Sequence, residues 1–110
     1  MTITVNELFE ALSTRFDNNA AAGVTKTLQW NITGEEPGVW AFEIVDGVGR
    51  LIPGGVNGAD TTFTTTDKIW MAIAEGRQDA MKAFMLGRLK VTGDVMLAMK
   101  VPHFFPIPAG

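Results

Sequence analysis

The chain is 110 residues long, contains no cysteine and carries a formal net charge of −3. That length suits one domain held by apolar burial, and the missing thiols exclude disulfide frameworks, thiol catalysis and the usual zinc sites while fitting a reducing cytoplasm. An acidic balance argues against nucleic acid as a partner, because such binding draws its affinity from a basic footprint on phosphates.

Met1 to Asn6 lacks the charged region and long apolar run of a signal peptide. Thr4-Val5-Asn6-Glu7 instead reads as a capping box, with the threonine hydroxyl on the Glu7 amide and the glutamate returning to the Thr4 amide, stapled by Ile3 and Leu8. Val5, Leu8, Phe9, Leu12 and Phe16 then recur at helical spacing, which predicts an amphipathic helix ending near Asn18-Asn19. Ala20 to Gly23 reads as a loop or a short helical turn.

Leu28, Trp30 and Ile32 alternate with polar residues as a half-buried strand does. Pro37-Gly38 suits the middle of a type II turn, and the strand from Val39 to Val45 puts Trp40, Phe42 and Ile44 on one side. Asp46-Gly47 signals a tight hairpin into Val48–Ile52, completing a three-stranded meander. The glycines from Pro53 to Gly58 are followed by a strand, Thr61 to Thr65, where a phosphate loop would lead into a helix; with no Gly-Lys-Ser/Thr present, a nucleotide site is not expected.

Two short helices follow, Asp67–Glu75 stopping at Gly76, and Ala80–Leu86 running from an Asp79 cap to Gly87. Both are apolar on more than one side, whereas a surface helix shows a single stripe about 100° wide. Arg88 to Thr92 alternates as a last strand, and Gly93-Asp94 opens a third helix, Val95–Lys100. Every methionine except Met1 falls between Met71 and Met99. Flexible, polarisable side chains so clustered suit a cavity that adapts its shape to a ligand; gap-filling in an ordinary core is the alternative.

The run Gly58-Ala59-Asp60-Thr61-Thr62-Phe63-Thr64, then Asp67, Gly76, Phe84, Gly87-Arg88-Leu89-Lys90-Val91-Thr92-Gly93-Asp94 and Leu97-Ala98-Met99-Lys100, resembles the sterol carrier protein 2 (SCP-2) domain. With the amphipathic first helix the resemblance covers nearly the whole chain, and Gly-x-Leu-Lys-Val-x-Gly-Asp is its most specific part. It implies an α+β fold in which a five-stranded, mostly antiparallel sheet carries helices on one face, with an apolar, lipid-holding tunnel between the layers. By position it implies a lining of Trp70, Met71, Phe84, Met85, Met96 and Met99, to which the apolar patterning adds Phe16, Trp40 and Phe63.

The tail from Val101 to Gly110 is apolar, and its prolines argue against a regular helix, so it is expected to lie over the domain near the tunnel mouth. It ends in Pro-Ala-Gly where eukaryotic relatives carry a peroxisomal Ser-Lys-Leu-type address, which favours a prokaryotic, cytoplasmic protein. The chain has one serine, Ser13, one histidine, His103, and no tyrosine, and no acid stands where it would orient the imidazole. Metal-ligand spacing is also missing, and no cofactor is implied. These readings favour a non-catalytic carrier of fatty acids, acyl-CoA or sterol-like molecules, monomeric or homodimeric, in transient contact with membranes. The rival readings are a small enzyme or enzyme subunit using His103 as acid or base on an apolar substrate, and a module that dimerises through Phe104, Phe105 and the exposed side of the helices.

Overall fold

In the computed structural model, residues 3–106 are described. They form α1 (Val5–Thr14), β1 (Lys26–Thr33), β2 (Gly38–Val45), β3 (Val48–Pro53), β4 (Thr61–Thr66), α2 (Asp67–Ala74), α3 (Ala80–Met85), β5 (Lys90–Gly93) and α4 (Val95–Phe104). The strand order is β3-β2-β1-β4-β5. Only β1 and β4 pair in parallel, so the sheet is mixed and mostly antiparallel, as expected.

Local chemistry sets the element ends. The capping box is formed, with Glu7 N donating to Thr4 Oγ1 at 3.1 Å and Thr4 N to Glu7 Oε1 at 3.0 Å. Asp46 (φ 48°) and Gly47 (φ 80°) make the β2–β3 turn, a pair of left-handed residues that matches strand twist. Asp79 and Asp94 cap α3 and α4 as read.

Four expectations require correction. First, α1 ends at Thr14, four residues early. There Ser13 Oγ and Thr14 Oγ1 donate to the Glu10 and Ala11 carbonyls, both at 2.6 Å, competing with the helical ladder. Second, Gly38 does not adopt the positive φ of a type II turn and opens β2 instead. The bend lies earlier, where Asp67 Oδ2 accepts the amides of Glu35 and Glu36, each at 2.9 Å. Gly34, at φ 114°, lies so close that a Cβ there would come within 2.5 Å of Asp67 Oδ1. Third, the last strand begins at Lys90, after a turn in which Arg88 N and Leu89 N donate to the Ala83 carbonyl. Fourth, α4 continues through Pro102 to Phe104. Proline removes the bond that residue 102 would donate, but the extra turn buries Phe104 and Phe105 and lets Asp17 N donate to the Phe104 carbonyl at 2.8 Å. The expectation about the chain's last residues, 107–110, lies outside the described residues.

Alternation along the strands divides the sheet's two faces. Leu28, Trp30 and Ile32 of β1, Trp40, Phe42 and Ile44 of β2, and Phe63 of β4 are buried beneath the helices. On the other face, Gln29 Oε1 accepts the Val56 amide at 2.7 Å, fastening the loop after β3.

Candidate functional site

Strand register builds the floor of the site. Trp30 lies opposite Trp40 on one side and Phe63 on the other, and Phe63 lies opposite Val91, so one row of large inward side chains crosses four strands. Above it, the Phe9 ring stacks on Trp40 at 4.7 Å and on Trp70 at 5.5 Å, and meets Trp30 edge-on at 5.6 Å. A second aromatic group joins Phe42 to Phe16 and Phe105, at 4.8 and 4.9 Å between ring centres.

Between this floor and the helices lies an apolar cleft of about 690 Å³. From the sheet come Trp30, Phe42, Phe63 and Val91; α1 adds Phe9 and Leu12, and α2 adds Trp70 and Ile73. Met81 and Phe84 of α3 face Val95, Ala98, Met99 and Pro102 of α4 across it. The α4 residues recur at i, i+3, i+4 and i+7, which is one helical face.

Few polar side chains reach the cleft, and those of Ser13, Gln78 and Asp79 are hydrogen-bonded to nearby backbone. Ser13 Oγ donates to the Glu10 carbonyl, Gln78 Nε2 donates to the Asp79 carbonyl at 3.2 Å, and Asp79 Oδ1 accepts the Met81 and Lys82 amides at 2.8 and 3.2 Å. Among the described residues, no lysine, arginine or histidine lines it. The indole nitrogens of Trp30 and Trp70, both rings of the lining, are buried without a hydrogen-bond partner among the described residues. Among the described residues, no group of three or more histidine, aspartate or glutamate side chains is placed to hold a metal ion.

Of the expected lining residues, the structure brings Phe63, Trp70, Phe84 and Met99 to the cleft. Trp40 is buried beside it, stacked on Phe9 with its Nε1 donating to Asn6 Oδ1 at 3.0 Å. Phe16 packs against Phe42 and Phe105 outside the lining, and Met71 packs partly buried against the core. Met85 and Met96 are 76% and 69% exposed and point away from the cleft. Each directly follows or precedes a cleft or core residue, and one step around a helix is about 100°. Phe9, Trp30 and Phe105 were not anticipated in the lining; alternation marks Trp30 as inward, but only the pairing of distant strands places it on the floor.

His103 is exposed and outside the cleft lining. Phe104 and Phe105 are buried against Phe16, so of the surface expected for dimerisation the exposed side of the helices alone is accessible among the described residues. No described helix is long and apolar enough to cross a membrane.

A profile of the SCP-2 sterol transfer family matches residues 5–106. Human sterol carrier protein 2 is 34% identical over 70 residues, which cover 64% of this chain and 13% of that protein. The chain therefore spans a small part of the length of this curated relative. The sec-alkylsulfatase Pisa1 from Pseudomonas sp. superposes with a TM-score of 0.78 at 27% identity, over 98% of this chain and 17% of that one. Palmitated SCP2L2 from Aedes aegypti shares the fold with a TM-score of 0.76 at 23% identity, over 92% of this chain and 93% of its own. With the profile running from the first helix to the end of the last, this chain belongs to the SCP-2 sterol transfer family and is an SCP-2-like lipid-binding domain.

Proposed function

We propose that the domain carries long-chain lipids without transforming them, holding a fatty acid, fatty acyl-CoA or sterol-like molecule with its apolar part in the cleft and its polar head at the mouth. The carrying observation is the 690 Å³ cleft lined almost wholly by apolar side chains and, among the described residues, by no cation. Its volume lies within the range of about 300 to 1,000 Å³ usual for small-molecule sites. A sixteen-carbon chain leaving water gains about 13 kcal/mol, at roughly 0.8 kcal/mol per methylene. A bilayer offers nearly the same gain. A cleft without an ionic clamp is therefore matched to exchange with membranes and not to permanent retention, and in this reading it closes over the chain as a tunnel.

The palmitated mosquito protein of the same fold supports an acyl ligand. The sulfatase shows that the fold also occurs within an enzyme. For this chain, the exposed position of His103 and the engaged state of Ser13 favour carriage over catalysis. A cytoplasmic setting belongs to the same reading, with which a cysteine-free sequence is compatible. Titration with a fluorescent fatty acid, together with native mass spectrometry of the purified protein, tests it: saturable binding and a retained lipid mass are expected. Absence of saturable binding to fatty acids, acyl-CoA and sterols alike would remove it.

A further inference from the structure

The two tryptophans of the cleft differ from the third in one respect. Trp40, which stands outside the lining, has its Nε1 bonded to Asn6 Oδ1 at 3.0 Å. Trp30 and Trp70 line the cleft, are only 3% and 7% exposed, and their Nε1 atoms meet no hydrogen-bond partner among the described residues. Buried indole N–H groups ordinarily find an acceptor, because an unpaired donor forfeits its hydration and gains nothing in return. Phenylalanine would give either place an aromatic ring without that loss. Two unpaired donors on rings of one cavity therefore call for an acceptor that arrives from outside the chain.

Their position says what carries that acceptor. Trp30 belongs to β1, the central strand of the sheet, Trp70 belongs to α2, and their ring centres lie 5.6 Å apart, so both donors belong to one neighbourhood deep in the cleft. Met81, Phe84 and Met99, by contrast, are between 42% and 54% exposed and mark the mouth. A polar head held at the mouth is thus not what the indoles meet, whereas an oxygen carried within the apolar body of the ligand is. A carbonyl or hydroxyl oxygen can accept from one indole or from both. A plain hydrocarbon chain would leave both donors unpaired. A buried water needs about three hydrogen bonds, and the rings packed on these two, Phe9 and Phe63, offer none.

We infer that the domain selects lipids bearing a carbonyl or hydroxyl oxygen part-way along the apolar body, which accepts a hydrogen bond from the indole of Trp30, Trp70 or both as the ring turns from its covered position in the empty cleft. This selection rests on the carrier reading and narrows its ligand from long-chain lipids at large to internally oxygenated ones. An inert apolar cavity would have the opposite preference, since a carbonyl brought into it loses its hydration without a donor in return.

The test is competition of stearate, and of oxostearates that differ in where the carbonyl stands along the chain, against a fluorescent fatty acid bound to the whole chain. At least one oxostearate is expected to bind roughly tenfold tighter than stearate, the ratio that one net hydrogen bond gives. That ratio should fall about fivefold or more in Trp30→Phe, in Trp70→Phe or in both. A second readout needs no variant: in heteronuclear NMR spectra of the wild-type protein, the indole N–H signal of Trp30 or Trp70 should lie downfield with that oxostearate relative to stearate, while the signal of Trp40 stays where its bond to Asn6 holds it. Stearate binding as tightly as every oxostearate, a carbonyl preference that survives in both variants, or indole signals alike in the two complexes would overturn the selection and leave the carrier reading standing. Failure of stearate and of every oxostearate to bind would remove the carrier reading and the selection with it.

Discussion

The two walls of the cleft are built on opposite plans. On one side, Phe9 of α1, Trp30 and Phe63 of the sheet and Trp70 of α2 are all buried and in aromatic contact, each held in place by neighbours on other elements. Across from them, Met81, Phe84 and Met99 stand half-exposed on short helices, and one of those helices carries a proline inside it. Aromatic rings have few rotamers and lose little freedom when packed, whereas methionine has three rotatable bonds and fits many shapes. The contrast assigns stability to one wall and adaptable access to the other.

The sharpest way to break this division is to truncate the rigid wall. Phe9→Ala removes the ring that touches three tryptophans and should cost about 3 to 5 kcal/mol in urea unfolding. A cost below about 1 kcal/mol would show that the aromatic wall is not what holds the fold.

Acid should also act on the sheet side. The Asp67 carboxyl is held below the ordinary carboxylate range, chiefly by the Glu36 amide and further by the Lys68 and Glu35 amides, with burial opposing. Folding therefore favours the charged form, so its contribution is complete above the ordinary carboxylate range and is lost as pH falls through the lowered value. Unfolding measured across an acid pH series should show wild type losing more stability than Asp67→Asn, which starts lower at neutral pH. Parallel pH profiles would contradict the role given to this carboxylate.

On the adaptable wall, the comparison turns on ligand binding. Met99→Trp projects bulk into the cleft and should weaken fatty acid binding with little loss of stability, since the space it enters is open. Met85→Trp, on the solvent side of α3, should leave binding unchanged and stability within about 0.5 kcal/mol. If the two variants titrate alike, the assignment of inner and outer helix faces is wrong. His103→Ala is expected to have the smallest effect, a few tenths of a kcal/mol at an exposed position, with binding intact. Loss of turnover of a lipid substrate in that variant would restore the enzymatic reading.

Those assignments differ in how far they were readable along the chain. The capping box, the Asp46-Gly47 turn and the caps at Asp79 and Asp94 depend on residues within a few positions of one another, and each was predictable from its own stretch. Alternation likewise identified Trp30, Phe42 and Phe63 as inward. It could not show that Trp30 and Phe63 are neighbours, because their parallel pairing joins strands 33 residues apart. The bend at Gly34 depends on a carboxylate more than thirty positions away, so Pro37-Gly38 misled. Pro102 is tolerated because distant Phe16 and Asp17 receive the turn that follows. Met85 and Met96 were misplaced for a different reason: helices apolar on several sides do not declare which side meets the cleft.

The central claim is that an apolar chain lies in the cleft against its aromatic lining, and the tryptophans report on it directly. Trp30 and Trp70 line the cleft, whereas Trp40 sits outside the lining, bonded to Asn6. Phenylalanine at position 30 or 70 also removes a buried N–H that lacks a partner, a group costing about 1 to 3 kcal/mol, which offsets part of the lost packing. Stearate bearing a nitroxide on its acyl chain should be titrated into W30F/W40F, which keeps Trp70, and into W30F/W70F, which keeps Trp40. Strong, saturable quenching of Trp70 with much weaker quenching of Trp40 is the predicted result; equal quenching of the two, or none of Trp70, would contradict it.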